Sequence, residues 1–322
     1  MIVHLIHQVV EVVVLLIGVV NMKTINLFGH DILVRDTLCS TDLSKLKQVN
    51  PSLRLYIKLT DVCNADCLFC ANKESRDFGN LDFKKLEFVI RYLLDKKLLH
   101  GISITGGEPM INPDKMNLLL NLIYSIDPSM EVAISTNGYN LRDFLNMEHV
   151  NKLESIHISR HHYDDEVNYS IFGSRDVAST EDIMVLQERL NDKRIININT
   201  LVMKDYIEDL REIKRMLNYV GDAGVYKNGF VSLMKCNQFS RDHFINFNDI
   251  FSHLDESFFL GHHFYNGEYC ECVDGVYLTD KDKMVEFYAR MVKECQCPYT
   301  TQLVYTSDNR VTAGFGKKLL YK

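Results

Sequence analysis

The sequence predicts an α/β fold in which parallel strands are joined by helices that return across one face of a sheet. From residue 53 onward, short runs rich in β-branched residues alternate with longer segments of helical period, which is typical of repeated βα units. Polar or sulfur-containing clusters follow the predicted strands, where parallel barrels place their active sites. The length of 322 residues fits one barrel-type domain with an appendage. We therefore expect an open or closed βα barrel.

The elements follow in order along the middle of the chain, and no internal repeat or low-complexity tract is visible. Six strands are predicted over residues 53–60, 101–105, 131–136, 155–160, 195–203 and 229–234. Five helices are predicted near residues 82–97, 113–126, 141–147, 179–191 and 206–220.

Three cysteines, Cys63, Cys67 and Cys70, follow the first predicted strand. At this spacing they cannot all pair as disulfides, but one compact loop can direct three thiols at a single soft metal centre. Structural zinc normally takes four protein ligands, whereas a cubane iron–sulfur cluster can be held by three thiolates with one iron left open. The spacing favours an iron–sulfur site over zinc or thiols without a metal.

The motif over residues 63–70 resembles the Cys-x-x-x-Cys-x-aromatic-Cys signature of the radical S-adenosylmethionine (radical SAM) superfamily. Residues 106–109 resemble the GGEP segment after its second strand, and residues 136–138 resemble the TNG segment after its third. The resemblance covers roughly residues 53–235. It implies a partial (βα)6 TIM-like barrel of the superfamily, with the SPASM, twitch and molybdenum-cofactor-biosynthesis-like subgroups as candidates.

The resemblance also implies cofactors and an activity. Cys63, Cys67 and Cys70 would hold a [4Fe–4S] cluster, whose open iron would be chelated by the amino and carboxylate groups of SAM. Reductive cleavage of SAM would give a 5′-deoxyadenosyl radical that removes a hydrogen atom from a small-molecule or peptide substrate. An electron donor such as flavodoxin or ferredoxin would supply the electron.

The expected SAM contacts are one aromatic residue and several small or polar residues near the strand ends. They are Phe69, Gly106, Gly107, Glu108, Ser135, Asn137 and Ser159. Phe69 would pack on the adenine, and the two glycines would let the chain approach a ligand. Glu108 would accept a hydrogen bond from the methionine ammonium. Taken alone, the same residues also suit ordinary turns and helix entries.

The fourth predicted strand is followed by Arg160, His161 and His162, which together with Ser159 resemble an SRHH stretch in some cofactor-biosynthesis-like members. These three residues are the candidates for catalysis or substrate contact. A guanidinium can fork onto an anion, and imidazole is a ready acid–base group. The alternative is a loop with a solvated arginine and exposed histidines.

The carboxy-terminal third is aromatic-rich and irregular, and it carries Cys236, Cys270, Cys272, Cys295 and Cys297. We expect these thiols to hold an auxiliary iron–sulfur cluster or metal, since soft ligands cluster there. The alternative is buried free thiols that pack as small hydrophobes. The spacing, Cys-x-Cys twice, departs from the patterns of the SPASM and molybdenum-cofactor enzymes. A hairpin over residues 304–314 would cap the barrel mouth.

The predicted organisation has four parts. Residues 1–22 form an apolar leader or a mis-annotated start, since their apolar run is too short to span a membrane and no basic n-region precedes it. Residues 23–52 form a hairpin and linker, residues 53–235 the barrel, and residues 236–322 an extension that caps the substrate site.

Net charge and cysteine content limit which substrates and which cellular compartment are expected. The net charge is −7 and no basic run of five or more occurs, so long nucleic acid is not an expected substrate. Nine clustered cysteines suit reduced thiols in a cytoplasm better than a secreted disulfide frame. A radical SAM oxidoreductase or lyase is the leading function; a non-catalytic metal-binding scaffold is the alternative, and methyl transfer is disfavoured.

Overall fold

The structure is a computed structural model. It describes residues 22–35, 53–71, 79–192, 194–251, 259–266, 273–279, 284–288, 300, 302–315 and 318–322. Residues 1–21 of the expected leader and residues 36–52 of the expected linker lie outside these ranges.

An antiparallel hairpin of strands β1 (Met22–Leu27) and β2 (His30–Arg35) opens the described chain. Its turn residues Phe28 and Gly29 have φ values of 52° and 81°, as two-residue turns require to match the strand twist. The Phe28 ring stacks on Tyr92 with centroids 4.4 Å apart. The predicted hairpin is therefore confirmed.

Six parallel strands form the centre of the main sheet, and they pair in the order of the chain. They are β3 (Leu53–Lys58), β4 (Leu99–Thr105), β5 (Glu131–Thr136), β6 (Ser155–Ser159), β7 (Ile196–Val202) and β8 (Lys227–Ser232). Parallel neighbours in chain order place every right-handed crossover on one face of the sheet. The predicted βα fold and its six strands are confirmed, with ends that shift by a few residues.

Helices cover that face. They are α1 (Phe83–Asp95), α2 (Pro113–Ile126), α4 (Thr180–Arg189) and α5 (Leu210–Asp222). One further helix, α3 (Asp165–Phe172), instead packs Phe172 beside the cysteine loop. Side chains that accept from the first free N–H groups begin them, for example Asp82 for α1 and Ser179, in a capping box, for α4. Among the described helices, none combines the length and apolarity needed to cross a bilayer.

Two helix predictions are corrected. The stretch 141–147 is a 3₁₀ helix over Leu141–Asn146 rather than an α-helix. Helix α3 occupies a stretch where no helix was predicted: Asp164 caps it by accepting from the Val167 N–H, and Gly173, with φ 60°, ends it. Two strong local end signals thus define a helix too short for its periodicity to be recognised.

The C-terminal extension continues the same sheet on both sides. After α6 (Gln238–Asp242) and α7 (Phe247–Phe251) come β9 (Phe259–Asn266), β10 (Val273–Thr279), β11 (Met284–Tyr288), β12 (Gln302–Tyr305), β13 (Val311–Ala313) and β14 (Leu319–Tyr321). Strand β11 pairs parallel with β8, and β12 pairs parallel with β3. In the described chain the sheet therefore holds eight adjacent parallel strands, and it stays open between its end strands β14 and β9.

The expected terminal hairpin exists as β12 and β13, which pair antiparallel. It lies at the edge of the sheet beside β3, and its turn reaches the loop after that strand, where the Ser307 hydroxyl donates to the Asp61 carboxylate. The hairpin thus flanks the barrel opening at one side.

The sheet has two chemically different faces, because alternate residues of a strand point to opposite sides. The face under the helices is apolar and buried, as at Leu55, Ile104 and Ile134. The opposite face, here called the polar inner face, carries residues linked by strand register. They include Arg54, Ser103, Ser135, His157, Ser159, Asn197, Asn199, Lys227 and Glu286.

Candidate functional site

The loop that carries the three cysteines follows β3 and is hydrogen-bonded to the loop after β4. The Gly107 N–H donates to the Thr60 carbonyl at 2.7 Å, and the Glu108 N–H donates to the Val62 carbonyl at 2.8 Å. These bonds extend the pairing of β3 and β4 beyond the strand ends. The GGEP segment therefore fixes the entry of the cysteine loop.

The two glycines of this segment allow that approach. Gly106 has φ +147°, a conformation that L side chains rarely adopt, and a Cβ there would lie 2.2 Å from the Thr60 carbonyl oxygen. A Cβ at Gly107 would lie 2.1 Å from the Val62 carbonyl oxygen. The space that was expected to admit a ligand is filled by backbone of the cysteine loop, so these glycines serve loop packing. Their contact with SAM remains a prediction.

Glu108 is buried, with 1% of its surface exposed, and it joins two strand ends. Its carboxylate accepts from the Met110 N–H at 2.9 Å, the Thr136 hydroxyl at 2.7 Å and the Asn137 N–H at 2.6 Å. Burial raises the pKa of Glu108 to about 7, against the lowering effect of these donors. The carboxylate thus ties the loops after β4 and β5 together.

Asn137 continues this network to the cysteine loop. Its side-chain nitrogen donates to the Asn64 Oδ1 at 2.8 Å and lies 3.7 Å from the Cys63 sulfur. Asn64 in turn donates to the Asp176 carbonyl at 2.5 Å. Ser135, two residues earlier on β5, lies on the polar inner face and is half-buried. Asn137 therefore stands beside the first thiol of the motif.

The three thiols are partly buried around one short loop. The Ala65 N–H lies 3.4 Å from the Cys63 sulfur, and the Cys70 N–H donates to the Cys67 carbonyl at 3.1 Å. Burial, together with the neighbouring Cys70 and Cys63, raises the pKa of the Cys67 thiol to about 12. Within the described residues, no group of three or more His, Cys, Asp or Glu side chains has converged to metal-binding geometry.

Phe69 lies between the second and third thiols and forms part of a second apolar cluster. Its ring meets His161 edge-to-face with centroids 5.2 Å apart. The loop after β8 holds the same segment from the other side: the Asn237 side chain donates to the Leu68 carbonyl at 2.8 Å, and the Cys236 thiol lies 3.6 Å from the Phe69 carbonyl. The cysteine loop is therefore clamped between the fourth and sixth barrel strands.

Arg160 is fully buried rather than solvated. It donates to the carbonyls of His162 at 2.7 Å and Ala178 at 2.9 Å, pairs with Asp165 at 2.5 Å, and covers the Tyr219 ring at 5.0 Å. A guanidinium held in this way braces the loop before α3. The solvent-exposed alternative is wrong, and the geometry favours a structural role over the candidate catalytic one.

The two histidines are also buried, so the exposed-loop alternative is wrong for them as well. His161 Nδ1 accepts from the Leu201 N–H at 3.2 Å, and its ring stacks on Phe172. Burial and the nearby Arg160 lower the pKa of His161 to about 3. His162 Nδ1 accepts from the Asp164 N–H at 3.0 Å, and burial lowers its pKa too. Both imidazoles are neutral at physiological pH.

Comparison with known families identifies the family to which this chain belongs. Residues 57–220 match the sequence profile of the radical SAM superfamily. The chain belongs to the radical SAM superfamily. Membership indicates an enzyme that uses SAM in radical chemistry, and it implies a [4Fe–4S] cluster with SAM. It also confirms the family that the motifs predicted.

Curated relatives share the barrel region. A GTP 3′,8-cyclase of Campylobacter jejuni (strain RM1221) is 28% identical over 159 residues, which is 48% of this chain and 48% of the relative. A GTP 3′,8-cyclase of Clostridium perfringens (strain SM101 / Type A) is 28% identical over 189 residues, or 56% of this chain and 55% of the relative. The chain thus spans about half the length of the curated relatives it matches.

Solved structures share the fold over a longer span. Streptococcus suis SuiB bound to S-adenosylmethionine superposes with a TM-score of 0.60 at 14% identity, covering 83% of this chain and 62% of that chain. SuiB bound to its precursor peptide SuiA gives the same values. At this identity the likeness supports the fold alone, and it confirms the predicted partial barrel.

The residues of the radical SAM site fit a cluster by their chemistry. Three thiols are the donor type that iron–sulfur clusters take, and they lie on one loop whose path is fixed by backbone bonds to the GGEP segment. N–H groups near a thiolate tune such clusters, and Cys63 has two of them, from Ala65 and Asn137. Burial disfavours the Cys67 thiolate, and a bond from that thiolate to a metal would offset the cost.

The expected auxiliary site is only partly described. Cys236 is exposed and lies beside Phe69, close to the radical SAM loop. Its four expected partners, Cys270, Cys272, Cys295 and Cys297, lie outside the described residues. A second cluster therefore stays a prediction.

Two residues that hold the site were missed from the sequence. Asn64 lies within the cysteine motif and bonds to Asn137, and Asn237 bonds to the loop from the far side. The available signal for Asn237 was a capping pattern with Ser240, which the structure forms. For Asn64 there was none, because its partner is 73 residues away.

Proposed function

We propose that this protein is a radical SAM enzyme in which Cys63, Cys67 and Cys70 hold the [4Fe–4S] cluster. When bound, the cluster and SAM supply the chemistry: reductive cleavage gives methionine and a 5′-deoxyadenosyl radical that takes a hydrogen atom from a peptide or small-molecule substrate. The observation that carries the proposal is the three-thiol loop, hydrogen-bonded to the GGEP segment at both Thr60 and Val62.

The surrounding residues would bind and shield SAM. Ser135 and Ser159 are half-buried on the polar inner face and are offered as its hydrogen-bonding contacts. Phe69 is offered as the apolar surface for the adenine. The Asn137 side chain lies beside the Cys63 sulfur, and the Asn137 N–H donates to the Glu108 carboxylate.

Neutral, buried histidines would form one side of the site and exclude water from it. His161 sits between Phe69 and Phe172, with ring centroids 5.2 and 4.8 Å away. Because its pKa is lowered to about 3, it would exclude water beside the cluster rather than exchange protons at neutral pH. In catalysis, His161 and His162 would therefore act only as neutral hydrogen-bonding groups.

The substrate is a peptide or a small molecule, and the electron donor a protein such as flavodoxin or ferredoxin. A second candidate function is GTP cyclisation, the reaction for which the curated relatives are named. Those relatives match about half of this chain. The scaffold alternative, a closed metal site without SAM, is disfavoured by family membership.

Metal content tests the proposal. Protein reconstituted without oxygen should carry about four irons per chain, or about eight if the C-terminal cysteines hold a second cubane. The Cys63→Ala/Cys67→Ala/Cys70→Ala variant should lose about four of them. Added SAM should change the electron paramagnetic resonance spectrum of the reduced wild type. An iron-free wild type, or a triple variant with the full iron content, would refute the assignment.

A further inference from the structure

The side-chain amide of Asn137 is held in one orientation by its surroundings. The Asn137 backbone N–H donates to Glu108 at 2.6 Å, and its backbone carbonyl accepts from the Ala178 N–H at 3.0 Å. Its side-chain oxygen accepts from the Tyr139 N–H at 2.9 Å. Because an N–H group can only donate, this bond fixes which end of the amide is the oxygen. The amide nitrogen is therefore the end that faces the cysteine loop.

Asn64 fixes the same nitrogen from the side of the cysteine loop. Its own side-chain nitrogen donates to the Asp176 carbonyl, so its oxygen is the end that faces Asn137. That oxygen accepts from the Asn137 side-chain nitrogen at 2.8 Å. An amide nitrogen carries two N–H bonds, and this contact uses one of them. The second N–H is left for the sulfur of Cys63, which lies 3.7 Å from the same nitrogen.

The Cys63 sulfur lies closer to two donors than to the Asn64 oxygen. The Ala65 N–H is 3.4 Å away and the Asn137 nitrogen 3.7 Å away, whereas the Asn64 oxygen is 3.9 Å away. Donors near a thiolate stabilise its negative charge, and they do so most strongly where little water competes. Asn137 is 8% exposed. The surroundings of this sulfur therefore favour its negatively charged form.

A donor at a ligand sulfur also affects electron uptake. An iron–sulfur cluster gains negative charge when it is reduced, so an N–H group beside a ligand sulfur stabilises the reduced state more than the oxidised state. The reduction potential is raised as a result. With one N–H on Asn64 and the other toward Cys63, the Asn137 amide has no N–H to offer to SAM.

We propose that Asn64 and Asn137 are positioning residues that raise the reduction potential of the cluster held by Cys63. Asn137 is the donor to the sulfur, and Asn64 orients that donor. The inference rests on the proposed function and deepens it. Asn137 then acts on a ligand sulfur rather than on SAM, the contact expected from the sequence. A higher potential lets a weaker electron donor reduce the cluster.

The test uses the full chain, reconstituted with iron and sulfide without oxygen. The reduction potential is measured by redox titration followed by electron paramagnetic resonance, on the signal that the triple cysteine variant lacks. The affinity for SAM is measured from the change that SAM causes in the same signal. The wild type is compared with Asn137→Asp, Asn137→Ala, Asn64→Ala and Asn218→Asp. Asn218 is an exposed residue of α5 and serves as the control.

We expect the equilibrium constant for reduction to fall about tenfold in Asn137→Asp and in Asn137→Ala, which lowers the potential by about 59 mV for a one-electron couple. Asn64→Ala should lower the potential by less, because the donor remains but is no longer oriented. Asn218→Asp should keep the wild-type potential. The affinity for SAM should equal that of the wild type in every variant with its full iron content.

A wild-type potential in both Asn137 variants would overturn the inference. A shift in Asn137→Asp alone would also overturn it, since an added charge would then be the cause. Loss of SAM affinity at an unchanged potential would make Asn137 a contact of SAM instead, which again contradicts the inference.

Iron content and thermal melts separate these results from loss of the cluster. If both Asn137 variants hold too little iron, Asn64→Ala carries the test, and a wild-type potential there would overturn the inference. Loss of iron in all three variants would assign the pair to cluster assembly and would overturn it as well. A wild type without an iron signal that responds to SAM would instead refute the proposed function.

Discussion

At the scale of single residues, the polar groups after the fourth strand serve to hold the loop. Arg160 donates inward to two carbonyls, and His161 accepts from a backbone N–H and stacks on Phe172. Buried polar groups of this kind persist because each finds a partner. The local sequence, a run of charged and imidazole side chains, looks like an exposed catalytic loop. Burial is a property of the whole fold and cannot be seen from the run itself.

Replacing His161 with Ala should lower the free energy of unfolding by about 2–4 kcal/mol, because it opens a cavity and leaves the Leu201 N–H without its acceptor. The cost should depend on pH. Since folding lowers the pKa of His161 from 6.5 to about 3, the unfolded chain binds a proton on this residue that the folded chain does not. The free energy of unfolding of the wild type therefore falls as the pH drops below 6.5.

Urea denaturation at several pH values measures this. The gap between the wild type and His161→Ala should shrink by up to about 1.4 kcal/mol per pH unit between pH 6 and the lowest pH at which the fold survives. The His30→Ala variant, on the N-terminal hairpin, is the control. A gap that stays constant with pH would show that His161 titrates alike in both states.

At the scale of elements, the site is two loops packed backbone to backbone. The loop after β3 and the loop after β4 meet where Gly106 and Gly107 remove the side chains. Asn137 and Glu108 then link the loop after β5 to both. The cysteine spacing and the GGEP and TNG segments were all visible in the sequence, since each is a contiguous run. Their mutual contacts were not, because they depend on strand register.

Gly106→Ala and Gly107→Ala should each destabilise the loop pair by about 3 kcal/mol or more, since a Cβ would meet a carbonyl oxygen at close to 2 Å. The amount of iron bound after anaerobic reconstitution should fall because the cysteine loop is part of the destabilised loop pair. Gly221→Ala is the matched control: it lies inside α5 with nothing within 4 Å of its Cβ position. That change should stabilise by about 0.5–1 kcal/mol. Wild-type iron content in both loop variants would contradict this account.

At the scale of the whole molecule, the described strands of the C-terminal extension join the same sheet as the six central strands. The six central strands were predictable because each is a short apolar run that its own residues specify. The parallel additions β11 and β12 were not, because β12 pairs with a strand about 250 residues earlier and nothing in its own four residues specifies that partner. The extension therefore shapes both edges of the catalytic sheet.

A chain that stops at residue 251 removes β9 to β14 and exposes the edges of β3 and β8. It also removes Leu303, Tyr305 and Phe287, which are fully buried. We expect this truncated chain to lose its cooperative thermal transition by circular dichroism and to aggregate, as unpaired edge strands do. A truncated chain that melts cooperatively and binds iron would show that the barrel is an independent unit.

The most direct test of the central claim is the formation of 5′-deoxyadenosine from SAM under strong reduction, measured for the wild type, Cys67→Ala and Cys39→Ala. Cys39 lies outside both the cysteine motif and the described residues, so its variant matches the chemical change alone. We predict product from the wild type and Cys39→Ala, and none above background from Cys67→Ala. Equal product from Cys67→Ala, or none from the wild type, would contradict the claim that this loop holds the cluster that cleaves SAM.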